Sequence, residues 1–86
     1  VGQGVCGTAV AEKANQNVHD VSEVKAYIAD NPSISSEMVV LIRAGEEIFG
    51  LIDLESMEPA AFTGEDETAI TMLADKLAEQ FMAERR

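Results

Sequence analysis

Two neighbouring apolar runs constrain the fold of this chain more than any other feature of its sequence. Residues 36–43 and 46–54 are rich in Val, Ile, Leu and Phe, and Ala44-Gly45 separates them. Residues of these types favour strands, and a short connection that contains glycine favours a tight turn between antiparallel strands. The sequence therefore predicts a β-hairpin.

The two predicted strands differ in how their side chains alternate. Residues 38–42 form an unbroken apolar run, which is typical of a strand that is covered on both faces. In the second strand, alternation places Phe49, Leu51 and Asp53 on one face and Ile48 on the other. Asp53 is then a carboxylate on an otherwise apolar face, which makes it a candidate ligand-binding residue.

A long helix is predicted after the hairpin. Thr63 is followed three residues later by Asp66, which is a helix-start pattern, and acidic residues fill the first turn. Apolar residues recur along this helix at spacings of three and four, with alanines beside them: Ile70, Leu73, Ala74, Leu77, Ala78 and Phe81. This face is predicted to pack on the hairpin or on a partner helix.

The first third of the chain predicts shorter elements. Three glycines within residues 1–7 indicate a shaped loop, and Thr8 is a candidate helix cap directly after it. Residues 30–33 have the composition of a turn. Between these segments the pattern predicts two short helices, over residues 8–15 and 22–28, with an extended segment at 16–21.

Size and composition limit the classes of function. With 86 residues, 47% of them hydrophobic and 26% charged, the chain is expected to be one folded domain over residues 1–86. Sixteen acidic and six basic side chains give a net charge of -10, which disfavours nucleic acid and anionic lipid as partners. No apolar run is long enough to cross a bilayer and no signal sequence is recognised, so a cytoplasmic location is expected. The single cysteine excludes a disulfide within the chain, and no metal or cofactor is predicted.

Several segments, taken in order, resemble one known family. They are Gly4-Val5-Cys6-Gly7-Thr8-Ala9, Asn17-Val18-His19-Asp20-Val21, Ser36-Glu37-Met38-Val39-Val40 and Gly50-Leu51-Ile52-Asp53-Leu54-Glu55-Ser56, with Phe62, Glu65 and Asp66 at the start of the long helix. Together they resemble the C-terminal part of a GAF domain, and among GAF proteins the free methionine-(R)-sulfoxide reductases. The resemblance implies an α/β (α+β) fold with a GAF-like antiparallel sheet flanked by helices. It also implies that a helix and two strands of the full domain precede this region, so the chain is expected to begin within the domain.

The resemblance further implies roles for individual residues. In the reductases a cysteine after an Ile-Ala pair attacks the sulfoxide sulfur, whereas here Asp30 follows Ile28-Ala29, so that cysteine is replaced. Cys6 matches the resolving thiol of the family. Three acids match the carboxylates that grip the ammonium group of a free amino acid, the third of them standing in place of an expected Asp: Glu37, Asp53 and Glu55.

The residues themselves leave alternatives open. Cys6 is compatible with a redox thiol and with a small apolar residue packed under the glycine-rich loop. Glu37 and Asp53 are compatible with acceptors in a pocket and with strand-end charges in water, and Glu55 needs no special role. Asp30 is compatible with a ligand contact and with an ordinary turn.

Three functions fit these features. The first is a non-catalytic GAF-like sensory domain in signal transduction, in which Glu37 and Asp53, roofed by the loop around Asp30, bind a small polar metabolite such as an amino acid. Ligand binding would then shift the long helix or a homodimer interface, for which Phe81-Met82 is the candidate seam. The second is an active free methionine-(R)-sulfoxide reductase in which Cys6 is the nucleophile. The third is a dimerisation scaffold.

Overall fold

The computed structural model describes residues 4–23 and 33–85. Its helices and strands are α1 (Gly4–Glu12), β1 (Gln16–Val18), a short 3-10 helix (Val21–Glu23), β2 (Ser36–Ala44), β3 (Glu47–Ser56) and α2 (Gly64–Glu84). The strands form an antiparallel sheet in the order β1-β2-β3, with α1 and α2 packed against it. The predicted fold class, an antiparallel sheet flanked by helices, is confirmed. Most of the helix predicted over 22–28 lies outside the described residues.

The predicted hairpin is formed by β2 and β3. The two strands pair along their whole length, from Ser36 opposite Ser56 to Ala44 opposite Glu47. The turn is at Gly45 and Glu46, one residue later than predicted, and Gly45 has a φ of +58°. Glycine suits this position because other residues adopt a positive φ only with strain.

A β-bulge changes the alternation that the sequence predicts for β3. The pairing shifts between Ile42, which faces Gly50, and Arg43, which faces Ile48, so Phe49 is the extra residue. A bulge reverses the faces beyond it, and Phe49 packs on the side of the sheet that carries α2. The prediction that Phe49 shares a face with Asp53 is therefore wrong.

The central strand β2 is buried on both of its faces, as its unbroken apolar run predicts. On one face Met38, Val40 and Ile42 form a cluster with residues of α2. On the other face Val39 and Leu41 form a second cluster with residues of α1. The sheet therefore separates the two helices. The β2 side chains that lie between the members of the first cluster in the sequence are on the α1 side.

Helix α1 begins earlier than the sequence predicts. Gly4, the first residue of α1, has a φ of +69°, a conformation that favours glycine, and residues 5–7 are helical rather than a loop. The Thr8 hydroxyl, instead of capping the helix, donates to the carbonyl oxygen of Gly4 at 2.7 Å. Glycine inside a helix costs about 1 kcal/mol relative to alanine. Burial of an apolar side chain such as Val5 contributes about 1.5–3 kcal/mol, and Val5 and Ala9, one turn apart, are both buried. Packing against the sheet therefore outweighs the local preference of the glycines.

The start of α2 follows the prediction. The Asp66 backbone N–H donates to the Thr63 hydroxyl at 3.1 Å, and the Thr63 backbone N–H donates to the Asp66 carboxylate at 2.8 Å. This reciprocal capping box satisfies two of the N–H groups at the helix start that have no intrahelical partner. None of the described helices is long and apolar enough to cross a membrane.

The face that α2 turns to the sheet is centred on alanines rather than leucines. Ala74 is fully buried and Ala78 nearly so, whereas Leu73 and Leu77 are 51% and 37% exposed. Small side chains let the helix backbone approach β2 closely, which leaves the larger residues on the flank. The predicted apolar face is thus only partly the packing face, and the predicted homodimer seam at Phe81-Met82 stays a prediction.

Candidate ligand-binding site

Cys6 lies on α1 and faces the sheet. Cys6 lies in the first turn of α1, next to the buried Val5. It packs against the cluster that α1 forms with β2. Its Sγ atom is 3.3 Å from Asp53 Oδ2 and 3.9 Å from Glu37 Oε2, and the single S–H is within donor distance of either carboxylate. The side chain is only partly buried. Cys6 therefore contacts carboxylates between α1 and the sheet and also packs against the apolar cluster on this face.

The strand register gathers the three predicted carboxylates on the α1 side. Glu37 is two residues before Val39 on β2 and therefore lies on the same face of the sheet. Val39 pairs with Asp53, and Glu37 pairs with Glu55, on the neighbouring strand. Glu37 is only 4% exposed, whereas Asp53 and Glu55 are open to solvent. We refer to Cys6, Glu37, Asp53 and Glu55 as the acidic site. One side-chain atom from each of Cys6, Glu37 and Asp53 lies within 4.8 Å of the others.

The acidic site changes the ionisation of its thiol. Burial, the hydrogen bond to Asp53 and the negative charges of Asp53, Glu37 and Glu55 together raise the pKa of Cys6 to about 12. Each of these causes disfavours a thiolate, since an anion is poorly solvated there and is repelled by the neighbouring carboxylates. At pH 7 the Cys6 thiol is therefore protonated and is a neutral hydrogen-bond donor.

Two basic side chains on the described surface form ion pairs with acids outside the acidic site. Lys13 forms an ion pair with Glu46 at 2.8 Å, and Arg85 forms one with Glu47 at 2.6 Å, both near the hairpin turn. Among the described residues, the charges that shift the pKa of Cys6 are the negative ones of Asp53, Glu37 and Glu55. The acidic site is therefore complementary to a positively charged group, and carboxylates can accept several hydrogen bonds from an ammonium ion.

Two surface concavities near the start of α2 are less suitable as a site. They have volumes of about 350 and 390 Å³ and share Gly64, Thr68 and Met72 among their lining residues. They lie on the helix that packs on the opposite face of the sheet, and they are wide open to solvent. No converging set of polar groups like that of the acidic site occurs among their lining residues.

Four of the five predicted site residues fall within the described part of the chain. Cys6, Glu37, Asp53 and Glu55 are brought together, and Asp30 lies outside the described residues. The sequence analysis placed the start of α1 after Cys6, although the spacing of Val5 and Ala9 was a signal for an earlier start. The prediction that the chain holds no metal or cofactor remains a prediction.

A buried serine fixes the segment that follows β3, and sequence reasoning did not identify it. Ser36 is fully buried, donates to the Glu58 carbonyl oxygen at 2.6 Å and accepts from the Ala61 N–H at 3.3 Å. These bonds tie residues 57–61 to the beginning of β2, next to Glu37. A small polar residue ahead of an apolar strand gives no sequence signal that distinguishes this role from solvent exposure.

Comparison with known proteins gives a consistent group of relatives. The GAF domain family model matches residues 1–81. The chain is 38% identical over 77 residues to the free methionine-R-sulfoxide reductase of Escherichia coli K12, a match that covers 90% of this chain and 47% of that protein. The chain spans about half the length of the curated relatives it matches.

Solved structures of the same kind superpose well. The free methionine-R-sulfoxide reductase from Neisseria meningitidis, in complex with its substrate, has a TM-score of 0.89 and 33% identity, over 98% of this chain and 50% of that one. The type II enzyme from Thermoplasma acidophilum has a TM-score of 0.84 and 40% identity, over 91% of this chain and 55% of that one.

Proposed function

This chain belongs to the GAF domain family, and on that premise we propose that it binds a small zwitterionic metabolite of the free amino acid type without transforming it. Glu37, Asp53 and Glu55 hold the ammonium group of the ligand. Asp30 lies outside the described residues. Its proposed contact with the ligand rests on its position in the sequence, where the resemblance places the attacking cysteine of the reductases.

One observation carries the proposal. Glu37, Asp53 and Glu55 come from two strands and converge with Cys6 on one face of the sheet, where the charges of described residues that act on Cys6 are negative. Acidic residues that only keep a surface soluble are not expected to lie close together, since their like charges repel each other. An ammonium group relieves that repulsion and donates to several carboxylate oxygens at once. A relative solved with its substrate is a free methionine sulfoxide reductase, which is consistent with this ligand class.

The raised pKa of Cys6 supports binding without catalysis. A cysteine acts as a nucleophile through its thiolate, and the pKa of Cys6 is about 12. Catalytic cysteines usually have the opposite shift, because a cation or a helix N-terminus stabilises the thiolate. In the proposed function the Cys6 thiol is a donor that orients the Asp53 carboxylate.

The position of β2 between the two helices supports a sensory role. Glu37 lies in the acidic site, and the next residue, Met38, is fully buried in the cluster with Ala74 of α2. A ligand that moves Glu37 therefore acts on a strand that is packed against α2. We propose that this contact transmits ligand binding to α2, as expected of a regulatory domain in signal transduction.

Isothermal titration calorimetry with L-methionine and a panel of free amino acids tests the binding function. Asp53→Asn keeps the shape of the side chain and removes its charge, so affinity is expected to fall about 10- to 100-fold, the range for a charged hydrogen bond. Glu46→Gln is the matched control, since it removes one charge at the hairpin turn, and it is expected to leave the affinity unchanged. Equal affinities for both variants would contradict the assignment of the site.

An active free methionine-(R)-sulfoxide reductase is the second candidate, favoured by the position of the Cys6 sulfur inside the acidic site. In that reaction the Cys6 sulfur takes the sulfoxide oxygen and becomes a sulfenic acid, and methionine leaves. Two equivalents of an external thiol then regenerate Cys6, with release of water and formation of a disulfide between them. Thiol-dependent turnover by the unmodified chain that disappears in Cys6→Ser would establish this candidate and overturn the non-catalytic proposal.

A further inference from the structure

We propose that the acidic site couples ligand binding to thiol reactivity: a cation held between Glu37 and Asp53 activates Cys6, and ionised Cys6 in turn binds that cation more tightly. The proposal rests on the binding function above and adds regulation to the same site. It makes Cys6 a ligand-dependent thiol, unreactive in the empty domain and reactive in the occupied one.

The geometry places the ligand cation beside the sulfur. Cys6 Sγ lies 3.3 Å from Asp53 Oδ2 and 3.9 Å from Glu37 Oε2, and all three atoms are within 4.8 Å of one another. An ammonium nitrogen that donates hydrogen bonds to both carboxylates is therefore in the immediate neighbourhood of Sγ. A ligand cation cannot occupy this position without acting on the thiol.

The described groups that face Cys6 disfavour ionisation of its thiol in the absence of a ligand. Strand β2 contributes Glu37, and β3 contributes Asp53 and Glu55, while the β1 residue opposite Glu37 is the uncharged Val18. On α1 itself the charged residue is Glu12, at the end of the helix. Burial and the three carboxylates raise the pKa of Cys6, and a bound cation opposes the charge part of that shift.

The coupling must be reciprocal. If a ligand favours the ionised thiol by some factor, ionisation of the thiol favours the ligand by the same factor, because both describe one thermodynamic cycle. A fall of one unit in the pKa raises the thiolate fraction about tenfold at any pH well below that pKa. The rate of a reaction that uses the thiolate rises by the same ratio, so reactivity measures the coupling directly.

Alkylation by iodoacetamide is a suitable measurement because the chain contains a single cysteine. The thiol loses its proton to the buffer, the sulfur bonds to the methylene carbon, and iodide leaves with the electron pair of the carbon–iodine bond. Rates are measured between about pH 7.5 and 9.5, without ligand and with saturating L-methionine. N-acetyl-L-methionine, which lacks the ammonium group, is the matched control ligand.

L-methionine is expected to accelerate alkylation about tenfold or more across this range, and N-acetyl-L-methionine is expected to have no effect. Calorimetry under the same conditions shows whether the probe is bound. Binding of L-methionine with an unchanged or slower alkylation rate would overturn the coupling and leave the binding function intact. Absence of binding by L-methionine and by every other amino acid of the panel would overturn the binding function, and the coupling with it.

Discussion

Cys6 and Asp53 are 47 positions apart in the sequence, yet the Cys6 thiol donates to Asp53 Oδ2 across 3.3 Å. Two separate features of the fold produce this contact. Packing of Val5 and Ala9 sets the position of α1 on the sheet, and pairing with Val39 sets the position of Asp53 on β3. The contact is the centre of the proposed ligand site, so its chemistry can be tested by changing either residue.

Asp53→Asn is expected to make Cys6 more acidic. The substitution removes a charge that repels the thiolate, and the hydrogen bond and charge of Asp53 follow burial as the largest causes of the raised pKa. Alkylation by iodoacetamide at about pH 8 is expected to be roughly tenfold faster, the ratio for a fall of one pKa unit. Glu46→Gln, with the same loss of charge at the hairpin turn, is expected to leave the rate unchanged. A slower rate in Asp53→Asn would show that Asp53 assists ionisation instead.

Stability is expected to decline at alkaline pH through Cys6. Because the folded pKa of Cys6 lies near 12, above its ordinary value of 9.0, the folded state retains a proton that the unfolded state loses between these values. The stability that the protonated Cys6 contributes to the folded state is fully present below about pH 9 and is lost as the pH rises toward 12. Denaturant unfolding of the original chain and of Cys6→Ala, at about pH 8 and pH 10.5, isolates this effect. The free energy of unfolding is expected to fall more in the original chain, and equal slopes in both chains would contradict the assigned direction.

The packing of α2 on the sheet predicts effects of different size on stability for substitutions at two neighbouring positions. Ala74→Leu inserts a larger side chain at a fully buried position against β2 and is expected to destabilise the fold by about 1–3 kcal/mol. Leu73→Ala shortens a half-exposed side chain next to it and is expected to change stability by less than about 1 kcal/mol. Chemical denaturation of the two variants measures both values. A larger loss in Leu73→Ala would mean that the leucine flank is the packing face.

Features that depend on local chemistry could be predicted from the sequence. The unbroken run at 38–42 gave the doubly covered strand, and the spacing of Thr63 and Asp66 gave the capping box, because each pattern has one favourable arrangement. The bulge at Phe49 and the helical start at Gly4 could not be predicted in this way. Both are local irregularities that tertiary packing stabilises against the preference of the nearby residues.

The candidate site was predictable only through resemblance. Composition and periodicity singled out Asp53 as an unusual carboxylate, but they gave no reason to bring it near Cys6 or Glu37. Distances between elements depend on the strand register and on how the helices pack, and neither is encoded by spacing in the sequence. The order of the motif segments supplied that information, and the structure added the direction of the thiol's ionisation.

Gly45→Ala tests the hairpin on which the register of the acidic site depends. Gly45 has a φ of +58°, and a Cβ there would meet no atom within 4 Å, so the expected penalty is backbone strain rather than a clash. A loss of about 1 kcal/mol in the free energy of unfolding is expected. Gly64→Ala is the matched control, since Gly64 also has open space around it and begins a helix without a positive φ. Thermal or denaturant unfolding is expected to show no loss in the control, and the same loss in both variants would exclude strain at Gly45 as the cause.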